Sequence, residues 1–126
     1  MEDTSQRPTI TVPAGDAPTE LVLEDHVVGD GPEAGAGVQA NVDYVGVSWS
    51  TGAEFDASWN RGDTLSFTIG AGQVISGWDQ GVAGMRVGGR RTITIPPHLG
   101  YGATGAGGVI APNETLIFTV DLRSIG

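Results

Sequence analysis

Along most of this chain, apolar side chains fall at every second residue, and in only one stretch do they fall at helical spacing. Val38, Ala40, Val42 and Tyr44 alternate with polar neighbours, as do Leu65, Phe67 and Ile69. The same pattern returns at Ile93 and Ile95, and again at Leu116, Phe118, Val120 and Leu122. A period of two puts one face of a strand in a core and the other towards solvent. Glu20 to Val28 is strand-like with imperfect alternation and closes on the turn Gly29-Asp30-Gly31, while Ser50-Thr51-Gly52 precedes a short Glu54-Phe55-Asp56 piece. The exception is Val74, Trp78, Val82 and Met85, whose spacings of four, four and three make one apolar helical stripe. Ser76 and Asp79 are placed to form a capping box, and Gly81, Gly84, Gly88 and Gly89 keep the helix short. One such helix must hide its stripe on the sheet. The expected class is α+β: five or six antiparallel strands wrapped around one short amphipathic helix.

A length of 126 residues fits one domain. Pro8, Pro13 and Pro18 make residues 1–18 an extended or partly disordered lead-in, with the domain proper over 19–126. Formal charge is −9, and eight of the 15 acids lie within residues 1–33, where Arg7 is the only base. That acidity suits solubility. A pI near 4.3 leaves no basic face for a phosphate backbone, so no nucleic-acid partner is expected. No stretch approaches the roughly 20 apolar residues of a membrane span, and the first residues lack the apolar run of a secretory signal. The expected location is the cytoplasm. With no second amphipathic helix to pair, a monomer is expected.

Several chemistries are closed by composition. All six basic residues are Arg, and the chain has no Cys and two His. That removes a Schiff-base lysine, a P-loop lysine, a thiol nucleophile, a zinc finger and a three-histidine metal site. No metal and no cofactor are expected. Gly70-Ala71-Gly72 followed by Gly77 misses the dinucleotide-binding spacing, and Arg61-Gly62-Asp63 is too short a match to carry weight.

What stands out is a set of aromatic residues on separate elements: Tyr44, Phe55, Trp59, Trp78, Tyr101 and Phe118. Any one of them alone reads as core. Together with Asp56 and Arg61, five residues apart and able to satisfy each other and a tyrosine hydroxyl, they also suit an apolar concavity with a few polar groups. On these residues alone the ligand stays open.

The local wording is more specific. Asp43-Tyr44-Val45-Gly46, Glu54-Phe55-Asp56-Ala57-Ser58, Gln73-Val74-Ile75-Ser76-Gly77-Trp78, Gly81-Val82-Ala83-Gly84-Met85, Gly88-Gly89-Arg90-Arg91 and Tyr101-Gly102 closely resemble, in order, the FKBP family of peptidyl-prolyl cis-trans isomerases. The resemblance runs from about Thr19 to Arg123. It implies an active cleft between helix and sheet, acting on proline-containing polypeptides and binding the macrolides tacrolimus and rapamycin. By residue matching, Trp78 would form the floor beneath the proline ring. Tyr44, Phe55, Val74, Ile75 and Phe118 would line the walls, with Ile110 contributing from the loop after Tyr101. The Tyr101 hydroxyl and the Ile75 N–H would donate to substrate carbonyls. Asp56, held by Arg61 and Tyr44, would accept at the cleft edge.

Four positions depart from the family pattern. Leu65 stands where many members carry an aromatic wall, and Ala106-Gly107 replaces bulkier residues in the loop from Gly102 to Pro112, which should make that loop more mobile. Asp43 replaces a common His, with its side chain expected to face away from Tyr44. Two activities remain open at this level: an isomerase that rotates X–Pro bonds in a dry cleft, and a non-catalytic proline- or macrolide-binding module.

Overall fold

The alternating stretches become strands in the computed structural model, which describes residues 3–126. In chain order they are β1 (Val22–Val27), β2 (Gln39–Ser48), β3 (Glu54–Ala57), β4 (Leu65–Thr68), β5 (Arg90–Ile95) and β6 (Leu116–Ile125). Every pairing is antiparallel, in the order β1-β5-β6-β2-β3, with β4 also pairing β2. Strand β2 is therefore shared along one edge. Its first half, Gln39 to Val42, pairs β4, and Val45 to Val47 pairs β3. Period-two alternation predicts strands that bury one face, and the first half of β2 does so cleanly. Residues 44–48 of β2 and 116–122 of β6 are instead buried on both faces, while residues 22–26 of β1 are exposed.

The one α-helix among the described residues, α1 (Ser76–Val82), lies against β5. Its closeness follows from two small residues one turn apart. A Cβ on Gly77 would sit 2.6 Å from Ile95 side-chain atoms, and one on Gly81 would sit 2.8 Å from Cγ2 of Ile93. Trp78 and Val82 point into the core with Val42, Phe67, Ile93, Ile95, Leu116, Phe118 and Val120. Val74 and Met85 belong to the same apolar stripe but fall just outside the helix ends, the first half-buried and the second buried.

The expected capping box does not form. Ile75 occupies the N-cap position and supplies no side-chain bond. Asp79 instead accepts from Gly70 N at 2.9 Å and Gly72 N at 3.2 Å, so it fastens the turn entering the helix, while Ser76 Oγ accepts from Gln80. The reason is positional: Ser76 is already helical, one residue past the point from which a hydroxyl reaches the free N–H groups. At the other end, Arg91 Nη1 donates to the carbonyls of Gly81 (2.8 Å) and Ala83 (3.3 Å), placing a cation at the helix C-terminus.

Of the lead-in, residues 1 and 2 lie outside the described residues. The remainder forms neither helix nor strand and is tied to the sheet by arginines. Arg123 donates to the carbonyl of Thr4 and Arg90 to that of Gln6, while Arg7 reaches Asn60 and Glu54. Arg90 also makes a bidentate pair with Asp121, both side chains almost fully buried. None of the described helices is long and apolar enough to cross a membrane.

Candidate functional site

The sheet curves around α1 and leaves a cleft of about 510 Å³ between helix, strands and the loop after β5. Its floor is the Trp78 indole in the first turn of the helix. Three rings meet that indole edge-on: Tyr44 at 4.9 Å between centroids, Phe118 at 5.2 Å and Phe67 at 5.6 Å. Phe55 then stands against Phe118 at 5.4 Å and 90°. These are the edge-to-face contacts that ring quadrupoles favour. The indole N–H is buried and finds no acceptor among the described residues, so the aromatic floor carries one unpartnered donor.

One polar cluster interrupts this lining. The Tyr44 hydroxyl donates to Asp56 Oδ2 at 2.5 Å, Arg61 Nη1 donates to Asp56 Oδ1 at 2.8 Å, and Arg61 Nη2 donates to the Tyr44 oxygen at 2.8 Å. The three groups close a triangle. Burial pushes the Asp56 carboxyl up, but the hydrogen bonds from Tyr44 and Arg61 outweigh it and hold the group below the usual carboxylate range. Burial, reinforced by the bond to Asp56, pushes the Tyr44 phenol up, so it stays a neutral donor. The Arg61 guanidinium is pushed up by its bonds to Tyr44 and Asp56.

Local structure explains the placement. The short strand β3 carries Phe55 and Asp56 to the rim and passes into a 3-10 turn, Ser58–Asn60. The fully buried Ser58 hydroxyl pins this turn to β2. It accepts from Tyr44 N and donates to Asp43 Oδ1, each at 2.8 Å, and Arg123 holds the other Asp43 oxygen. Arg61, next in the chain, is thereby brought back over Asp56. Asp43 is engaged away from the Tyr44 ring, as its place one residue earlier in a strand predicts.

Tyr44, Phe55, Asp56, Leu65, Val74, Ile75, Trp78, Tyr101, Ile110 and Phe118 all line the one cleft, and Arg61 sits behind it through its bonds to Asp56 and Tyr44. No hydrogen bond from the Ile75 N–H is found among the described residues. Tyr101 is 40% exposed at the mouth. The structure adds Gln73, Ala106 and Val109 to the lining. Gln73 is drawn in because its amide oxygen accepts from Thr68 N, and Val109 because residues 106–110 close a small hairpin through paired bonds between Ala106 and Ile110. Neither has a local sequence signal, since both depend on a loop returning to the sheet. Trp59 lies apart, its ring 5.4 Å from the Arg123 guanidinium. The described residues contain no cluster of His, Cys, Asp or Glu that could hold a metal ion.

Comparison with known proteins bears on the family and the fold. The family model for FKBP-type peptidyl-prolyl cis-trans isomerases matches residues 31–123. An FK506-binding protein of Streptomyces anulatus is 60% identical over 121 residues, covering 95% of this chain and 98% of its own. A probable FK506-binding protein of Corynebacterium glutamicum is 47% identical over 119 residues, covering 94% of this chain and 98% of its own. Among solved structures, AtFKBP13 superposes with a TM-score of 0.79 at 42% identity, covering 87% of this chain and 96% of that one. FkpA from Escherichia coli gives 0.77 at 38% identity, covering 85% of this chain and 48% of that one. With the family model spanning every cleft residue from Tyr44 to Phe118, the chain belongs to the FKBP-type peptidyl-prolyl cis-trans isomerase family.

Proposed function

We propose that the cleft accelerates rotation about X–Pro peptide bonds of polypeptide clients by drying and twisting the amide, without proton transfer or metal. The observation that carries this reading is a cleft floored and walled by aromatic rings, with its one charged cluster locked at the rim. An X–Pro amide is kept planar by resonance, with a barrier of about 18–20 kcal/mol, and turns over uncatalysed in tens to hundreds of seconds. The planar form depends on charge separation between nitrogen and oxygen. Removing water from it weakens the C–N double-bond character, and a pocket fitted to the twisted form binds the transition state better than either ground state. A barrier lower by about 6 kcal/mol corresponds to about four decades in rate.

In this mechanism Trp78 supports the proline ring while Phe55, Phe118 and Tyr44 exclude water. The free Ile75 N–H and the exposed Tyr101 hydroxyl are the donors that orient substrate carbonyls. Asp56 is a fixed acceptor, since its charge is already committed to Tyr44 and Arg61. The same cleft is proposed to bind tacrolimus and rapamycin, in keeping with the names of the Streptomyces and Corynebacterium relatives. We further propose that the chain works as a monomer in the cytoplasm.

A protease-coupled assay on an X–Pro peptide, with and without tacrolimus, tests the activity. Acceleration that tacrolimus abolishes is expected. Macrolide binding without acceleration at micromolar protein would instead identify a binding module. Trp78→Leu and Asp56→Leu should each weaken macrolide binding, and unchanged affinity in both would remove the cleft from consideration.

A further inference from the structure

The cleft does not end at Phe55. Phe55, Ala106, Val109 and Ile110 also wall a second hollow of about 570 Å³, which runs between the β2–β3 turn and the loop carrying residues 104–112. Its charge is one-sided. Glu54 and Glu114 are its only ionisable side chains, among hydroxyl, apolar and glycine residues.

The two carboxylates are not equivalent. Glu54 is already paired with Arg7 and bonded by Asn60. Glu114 is only 9% exposed and accepts from the Ser50 N–H at 3.1 Å and the Ser50 hydroxyl at 2.5 Å. No cation lies within 4.0 Å of it among the described residues. A carboxylate that is fixed in place, largely removed from water and held by neutral donors gains more from an arriving cation than a solvated one does. Its position on a surface continuous with the cleft means that the cation can belong to the same chain as the proline.

We propose that this hollow is a subsite for a lysine or arginine side chain near the substrate proline, and that Glu114 determines the preference. The proposal rests on the isomerase reading, and concerns which clients that activity selects.

The test uses heptapeptides with a central X–Pro bond, carrying Lys, Ala or Glu at each flanking position in turn. Both kcat/KM and peptide affinity by tryptophan fluorescence are measured, at low and high salt. At one or two positions Lys should exceed Glu by about three- to ten-fold at low salt, and the gap should shrink as salt screens it. Glu114→Gln keeps an acceptor for Ser50. It should erase the preference while turning over the Ala peptides as wild type does. Glu20→Gln, which removes the same charge from an exposed site remote from the hollow in sequence, should retain the preference. Equal Lys and Glu values at every position would overturn the proposal. So would an equal loss in both variants, which would assign the effect to the overall −9 charge. If wild type fails on the Ala peptides as well, the isomerase reading fails, and the affinity series alone decides the subsite.

Discussion

Gly46 of β2 lies directly across the ladder from Phe118 of β6, and a Cβ at Gly46 would stand 2.6 Å from Cε1 of that ring. The same atom would stand 2.8 Å from Cζ of Phe55. Two cleft aromatics therefore share the space that a side chain at position 46 would fill.

Gly46→Ala should push both rings off their edge-to-face contact. Overpacking of this kind typically destabilises by about 1–3 kcal/mol, and kcat/KM should fall by about tenfold or more because the cleft wall moves. A thermal melt and the coupled assay on the same variant check both effects. Unaltered activity would mean that Phe55 and Phe118 tolerate displacement.

Gly77→Ala and Gly81→Ala carry a prediction about sign. In an exposed helix Ala is favoured over Gly by about 1 kcal/mol. Here the new methyl groups would meet Ile95 and Ile93 below 3.0 Å, so both variants should be less stable in urea titration. Stabilisation by either would show that α1 can lift from β5 without loss.

Tyr44→Phe removes one donor from Asp56 and leaves Arg61 with one fewer acceptor. A loss of about 1 kcal/mol in stability is expected, the usual size for a single hydrogen bond. Weaker macrolide binding should accompany it, measured by titration calorimetry.

The same triangle sets the pH range. Asp56 has its folded pKa lowered, so its contribution is complete above the ordinary aspartate value and is lost only as pH falls through the lower folded value. Tyr44 has its folded pKa raised, so its contribution is complete below the ordinary tyrosine value and is lost as pH rises through the folded one. The kcat/KM profile should be flat from about pH 5 to 9, between ordinary aspartate and tyrosine values. In Tyr44→Phe the acid limb should move upward. A limb between pH 6 and 7 in wild type would require a different ionising group.

How legible all this was depends on whether the signal is local. Strands β2, β4, β5 and β6 are written in the alternation of their own residues, and Trp78 and Val82 in the spacing of theirs. Asp56 and Arg61 are close in sequence, so their pairing with Tyr44 was within reach of the pattern. Asp79 was misassigned because its partners, Gly70 and Gly72, come from a preceding turn rather than from its own helix. The interior glycines of α1 read as a weakness until Ile93 and Ile95 are seen beneath them. The Arg90 bond to Gln6 and the Arg123 bond to Thr4 join residues 84 and 119 positions apart, a separation at which no periodicity speaks.

The sheet order has a consequence for synthesis on the ribosome. Strand β6 follows every other strand in the chain, yet it lies between β5 and β2. Until Leu116–Ile125 has been made and has cleared the exit tunnel, those two strands have no common neighbour and the aromatic wall lacks Phe118. A protein proposed to speed proline-limited folding in others would thus complete its own working surface only after translation has passed its central strand.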